Sequence, residues 1–135
     1  MKKIQLYIIL LLLFFGNPAV SVAQTSGIIS GKIYTLQSQA NQKLLDVSNS
    51  SIENTANVDC WTDTKSDAQR WIVSHVNNEV YTLTNVASGK LLHAISSSAD
   101  SVNVDQVSNT GNSNVEWILK KAGNGSTLLK VKSQI

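Results

Sequence analysis

Residues 34–47 read YTLQSQANQKLLDV, and residues 81–94 read YTLTNVASGKLLHA. The stretches lie 47 positions apart, and seven of the fourteen residues coincide: Tyr34/Tyr81, Thr35/Thr82, Leu36/Leu83, Ala40/Ala87, Lys43/Lys90, Leu44/Leu91 and Leu45/Leu92. After a one-residue gap, Asn57-Val58-Asp59 matches Asn103-Val104-Asp105, and Trp71-Ile72 then matches Trp117-Ile118. Four blocks in the same order at nearly constant spacing mark an internal repeat.

Each unit carries the same coarse pattern. Tyr-Thr-Leu opens a strand, small polar residues make a turn, and Lys-Leu-Leu begins a second strand. A Ser/Asn-rich loop leads to a third strand at Asn-Val-Asp, and a fourth is built on Trp-Ile-Val or Trp-Ile-Leu. Short β-branched and aromatic runs punctuated by Gly, Asn, Asp and Ser predict strands and turns. No helical periodicity is sustained after the first two dozen residues. The expectation is an all-β chain with four strands per unit, unit one over about 33–79 and unit two over about 80–126. A third unit opens at 127–135, where LKVKSQ (129–134) lines up with YTLQSQ (34–39). A repeat of this length calls for roughly 40 further residues, and stacked repeats bury each unit's apolar face against its neighbours. The Leu and Val side chains of units one and two are therefore expected to face solvent, and the chain to be marginal unless a partner or self-association fills the gap.

Ahead of the repeat, Lys2 and Lys3 precede an apolar run over 4–15, then Gly16-Asn17-Pro18, and Ser21-Val22-Ala23 before Gln24. A positive end, an apolar middle too short to span a bilayer and small residues before a junction describe a secretory signal over 1–23. The expected mature domain is 24–135, secreted, periplasmic or extracellular, with no membrane attachment after cleavage. Cleavage removes two of the eleven basic residues and leaves nine, equal to the nine acids. A near-neutral module lacks the clustered basic surface that nucleic acid demands, so a nucleic-acid partner is not expected. The lone Cys60 excludes an internal disulfide.

The run Val58-Asp59-Cys60-Trp61-Thr62-Asp63, followed by Asp67-Ala68-Gln69-Arg70-Trp71, resembles the signature of ricin B-type lectin domains, with Gln69-Arg70-Trp71 matching the family's Gln-x-Trp motif. The resemblance extends from about Lys32 to the end. It implies a β-trefoil, three four-stranded units around a pseudo-threefold axis, with shallow glycan pockets of up to one per unit. Such domains are often attached to secreted glycoside hydrolases or toxins, so glycans or polysaccharide, and a linked hydrolase domain, are the partners the resemblance implies.

The residues themselves support one pocket. Alternation along a strand sets Asp59 and Trp61 on one face of Asn57–Trp61 and Val58 and Cys60 on the other. Two residues of strand advance about 6.6–6.8 Å, one sugar ring. Sugars need an aromatic plane for their C–H face and an acceptor for paired hydroxyls. By the resemblance, Asp46 is that acceptor and Trp61 the stacking aromatic, while Asp59 stands at a polar position and Gln69, mainly a structural hydrogen-bonder in this motif, is in reach of a contact at the edge. The plainer alternatives are a packed aromatic at Trp61 and a solvated strand acid at Asp59. Asp46 is also placed to cap the turn that follows it. Trp71 and Trp117 are core residues. In unit two, His93 replaces the acceptor, Val107 the aromatic and Val115 the motif Gln, which leaves scaffold.

Catalysis is not expected. His75 and His93 fall in no metal-ligand spacing with Cys60, and Cys60 is expected to be a buried apolar thiol. Asp46 with Asp59 is a carboxyl pair, but a glycosidase sets its pair in a deep cleft. No cofactor or metal is implied. The competing class is a trefoil that serves as a protein-interaction or spacer domain.

Overall fold

The structure, a computed structural model, describes residues 7–11, 27–95, 103–108, 111, 113–121 and 127–131. The proposed processing junction at 21–24 and residues 132–135 of the third unit lie outside them. Ten strands form one antiparallel sheet: β1 (Tyr7–Leu11), β2 (Lys32–Ser38), β3 (Leu44–Val47), β4 (Val58–Trp61), β5 (Trp71–Asn77), β6 (Val80–Asn85), β7 (Leu91–Ala94), β8 (Val104–Val107), β9 (Trp117–Lys121) and β10 (Thr127–Val131). Among the described residues only short 3-10 turns interrupt the strands, and no helix is long and apolar enough to cross a membrane. The fold is an all-β trefoil with two complete four-stranded units, β2–β5 and β6–β9.

The two units superpose in their pairings. Tyr34 opposes Trp71 where β2 meets β5, and Tyr81 opposes Trp117 where β6 meets β9. The indole N–H of Trp71 donates to the Leu45 carbonyl at 3.1 Å, and that of Trp117 donates to the Leu92 carbonyl at 2.9 Å. Each fourth strand is thereby pinned to the second strand of its own unit. Around the two indoles lie Tyr34, Leu36, Leu45, Val47, Val58, Val73, Leu83, Leu92 and Leu119, all buried. Burying apolar area is worth about 25 cal/mol per Å², so this shared core dominates stability.

These Leu and Val side chains do not face solvent, contrary to the expectation from the sequence. The reason is β1. Its register on β2 is Ile8↔Ser38, Ile9↔Gln37 and Leu10↔Leu36. That matches β5 on β6: Trp71↔Asn85, Ile72↔Thr84 and Val73↔Leu83. On its other side Ile8 opposes Thr127 of β10, as Trp71 opposes Tyr34. β1 therefore stands in the fourth-strand place of unit three and closes a six-stranded barrel, β2-β1-β10-β9-β6-β5. β-branched and aromatic content suits Tyr7-Ile8-Ile9 to a strand. The register also corrects the alignment of the third unit. Leu129 opposes Leu119 as Leu83 opposes Val73, so Leu129 takes the place of Leu83 and Leu36 rather than of Tyr34, a shift of two residues.

The hairpins β3–β4 and β7–β8 project from this barrel, and unit one also clamps unit two. The side-chain amide of Gln106 donates to the carbonyls of Ser51 and Glu53, both at 2.9 Å, and its carbonyl accepts from the Ser88 hydroxyl at 2.7 Å. Backbone bonds from Thr55 to Gln106 and from Gln106 to Ala56 add a short rung. The same turn joins the first two strands of each unit, with Ser38 N–H bonded to the Lys43 carbonyl and Asn85 N–H to the Lys90 carbonyl, both at 2.8 Å. Unit two places Gly89 at its left-handed position (φ 69°), whereas unit one places Gln42 there (φ 59°).

Two outcomes follow from this geometry. A left-handed conformation costs a residue with a Cβ about 1–2 kcal/mol, partly offset by the ~0.5–1 kcal/mol flexibility penalty of glycine. Gln42→Gly is therefore expected to raise the midpoint of thermal unfolding by a few degrees, read by circular dichroism. Removing residues 1–23 opens the barrel between β2 and β10. Residues 24–135 are expected to melt at lower temperature than the full chain or to self-associate, measured by thermal melts with size-exclusion chromatography; a cooperative monomeric melt matching that of the full chain would contradict it.

Candidate functional site

Unit one brings Asp46, Asp59 and Trp61 onto one face of the β3–β4 hairpin. Asp46 lies directly opposite Asp59, and Leu44 opposite Trp61. Side chains of directly opposed residues share a face with Cβ atoms about 4.5–5.5 Å apart, and Asp59 and Trp61 are two positions apart on β4. The other face carries Leu45, Val47, Val58 and Cys60, turned to the core. Trp61 is 56 % exposed, a large apolar plane left in solvent, and Asp59 is exposed beside it.

Asp46 is 8 % exposed because the 3-10 turn Asp67–Gln69 packs over β3. That turn delivers Gln69, whose side-chain amide donates to Asp46 Oδ2 at 3.0 Å and to the Thr62 carbonyl at 2.8 Å. The Gln69 side-chain oxygen accepts the Thr64 N–H at 2.8 Å. One amide thus fixes the acid and the chain just beyond Trp61. Gln69 itself is 1 % exposed with these polar groups engaged internally, which is the structural hydrogen-bonding role of the motif, behind Asp46. Asp46 does not cap the following turn: Ser48–Ser50 has no side-chain cap, and Asp46 bonds Gln69 instead.

Burial raises the Asp46 carboxyl above the ordinary carboxylate range, the Gln69 hydrogen bond opposes this, and the facing Asp59 adds to the rise. Cys60 is half-buried rather than buried; desolvation and then Asp59 raise its thiol, with Lys43 opposing, so it stays protonated at neutral pH. Three further residues frame the site. The Ser48 hydroxyl donates to Asp59 Oδ2 at 3.0 Å, and the Asn57 amide donates to the Ser48 hydroxyl at 3.2 Å. The Lys43 ammonium lies 5.4 Å from the Trp61 ring centre. The sequence signals were weak: Ser48 and Asn57 sit in a polar run, and Lys43 recurs as Lys90 beside no aromatic.

Unit two has no such surface. His93 and Asp105 occupy the places of Asp46 and Asp59, and His93 Nδ1 meets Asp105 Oδ1 at 2.7 Å. The acceptor position is satisfied from within, Val107 supplies no plane, and Val115 is buried where Gln69 would reach. Among the described residues, no group of three or more His, Cys, Asp or Glu could hold a metal ion.

The model of the ricin-type beta-trefoil lectin domain-like family matches residues 24–93 and 67–134. Among solved structures, the designed threefold-symmetric protein ThreeFoil is 32 % identical with a TM-score of 0.72, over 76 % of this chain and 74 % of that one. The exo-beta-1,3-galactanase 1,3Gal43A from Clostridium thermocellum is 28 % identical with a TM-score of 0.71, over 79 % of this chain and 23 % of the galactanase. The Polyporus squamosus lectin, solved with the epitope Neu5Aca2-6Galb1-4GlcNAc, is 18 % identical with a TM-score of 0.56, over 67 % of this chain and 32 % of that one, a likeness of fold. No curated protein matches the chain.

Two substitutions separate positioning from charge. Gln69→Ala leaves Asp46 and the 62–64 turn without their partner and is expected to cost about 2–4 kcal/mol in denaturant unfolding. Asp46→Asn keeps an acceptor for Gln69. Because the folded-state pKa is raised, Asp46 stabilises the fold most when protonated, and that contribution is lost as pH rises through its folded pKa. At pH 7, Asp46→Asn is therefore expected to be no less stable than the wild type, and any gain should shrink on acidification toward pH 4.

Proposed function

Since this chain belongs to the ricin-type β-trefoil lectin-like family, we propose that it is an exported carbohydrate-binding module with one glycan site, in unit one, formed by Trp61, Asp46 and Asp59 and held by Gln69. The observation that carries the reading is the exposed indole of Trp61 sharing a hairpin face with the anchored carboxylate of Asp46. An indole left in water has no packing reason to be there, whereas a sugar ring covers it with C–H groups while paired hydroxyls donate to the acid. Unit two, with neither group available, serves as scaffold.

The task is binding rather than chemistry. Asp46 and Asp59 face each other on an open hairpin without the cleft that separates an acid from a nucleophile. One stacked ring contributes roughly 0.5–1.5 kcal/mol beyond area, and hydrogen bonds to a charged acceptor add about 1.5–3 kcal/mol. A single site is then millimolar to high micromolar, on the order of −4 to −6 kcal/mol. Such affinity becomes useful through tethering, and the galactanase that this chain matches over 23 % of its length suggests attachment to a glycoside hydrolase.

A glycan array with wild type, Asp46→Ala and Trp61→Ala tests the reading. Binding in the wild type that falls at least tenfold in both variants is expected. Absence of glycan binding by the folded wild type would leave a spacer or protein-interaction domain.

A further inference from the structure

We propose that the site in unit one selects sugars that carry a free, protonated amine, that is unacetylated amino sugars, over their neutral and N-acetylated counterparts. The inference rests on the reading of this hairpin as a glycan site and concerns the charge of what it takes.

Three observations point the same way. Asp46 and Asp59 oppose each other on one face, and neither makes an ion pair: among the described residues the salt bridges belong to Asp63, Asp67 and Asp105. Asp105, the counterpart of Asp59 in unit two, does have a basic partner in His93. Unit two thus pairs its acid with a histidine on the facing strand, while unit one leaves two carboxylates without an ion pair. Like charges at this separation repel, and a cation placed between them relieves the repulsion.

The second observation is the neighbouring plane. Trp61 presents an exposed ring whose face is electron-rich, and the ring already attracts a cation, the Lys43 ammonium at 5.4 Å. A tryptophan face is the most favourable aromatic surface for an ammonium. The third is geometry. Asp59 is held by Ser48 through Oδ2, and Asp46 by Gln69 through Oδ2, so both acids are fixed before a ligand arrives. A sugar ring stacked on Trp61 with one edge toward β3 would bring an amine substituent to the two acids about 6.6–6.8 Å along the strand. Acetylation removes the charge and adds bulk at that point. A neutral hydroxyl there can donate to one acid but cannot offset the second.

The test measures binding by isothermal calorimetry in the full chain at pH 6, with glucosamine and galactosamine, their N-acetyl forms, and glucose and galactose. Wild type, Asp59→Asn and Trp61→Ala are compared at low and high sodium chloride. The expected result is roughly tenfold tighter binding of at least one free amino sugar than of its N-acetyl form, as one partly shielded charge contact allows. That ratio should shrink severalfold in Asp59→Asn and at high salt, and binding should be lost in Trp61→Ala. Neutral or N-acetyl sugars binding as tightly as the amines would overturn this inference and leave the glycan site standing. A ratio unchanged in Asp59→Asn would overturn it as well, because the second acid would not be its source. If none of the six sugars binds, isothermal calorimetry with unacetylated and fully acetylated glucosamine oligomers decides: binding of only the unacetylated form supports selection by charge, binding of only the acetylated form overturns it, and binding of neither overturns the glycan site and this inference together.

Discussion

Trp71 is wholly buried where three strands of its unit meet, and its indole N–H is satisfied by the carbonyl of Leu45. That bond joins the strand ending the unit to the strand carrying Asp46, one residue further on. An indole in a core contributes a large apolar area but brings a polar N–H that needs a partner. The Leu45 carbonyl is that partner, and so the orientation of β3 is tied to the packing of β5. Trp117 makes the equivalent bond to Leu92. Loss of either indole would release both a core and a hairpin.

The Asp46–Trp61 face of the hairpin depends on this tie through a short chain of contacts. Trp71 fixes β3, β3 presents Asp46, and the 3-10 turn two residues before Trp71 brings Gln69 onto it. The motif Gln69-Arg70-Trp71 therefore acts in two directions. Trp71 faces the core, and Gln69, two positions earlier, reaches the acid and the 62–64 turn. This explains how a nearly buried glutamine governs a surface it does not touch.

The divergence of the two units shows what the scaffold tolerates. Core positions keep their chemistry, as with Leu45 and Leu92 or Trp71 and Trp117, because each fills a fixed volume among shared neighbours. Face positions do not. His93 and Asp105 are bonded to one another where Asp46 and Asp59 stand without an ion pair, and Val107 stands where Trp61 projects. A hairpin that projects from the barrel can exchange these side chains without repacking the interior.

The repeat, the strand content and the pairing of Asp59 with Trp61 on one face were legible in the amino-acid sequence, because spacing and alternation are local properties of the chain. Core roles for Trp71 and Trp117 were legible too, since the tryptophan recurs where Asp46, Trp61 and Gln69 do not. Tertiary structure decided the rest. Gln69 withdrew behind Asp46 because a 3-10 turn folded over β3, and no local pattern encodes which side of a turn is covered. The two acids without an ion pair, the cation over Trp61 and the seating of β1 between β2 and β10 all depend on residues distant in the chain. Such contacts are settled only when the barrel closes, because closure determines which side chains lose water and which keep it.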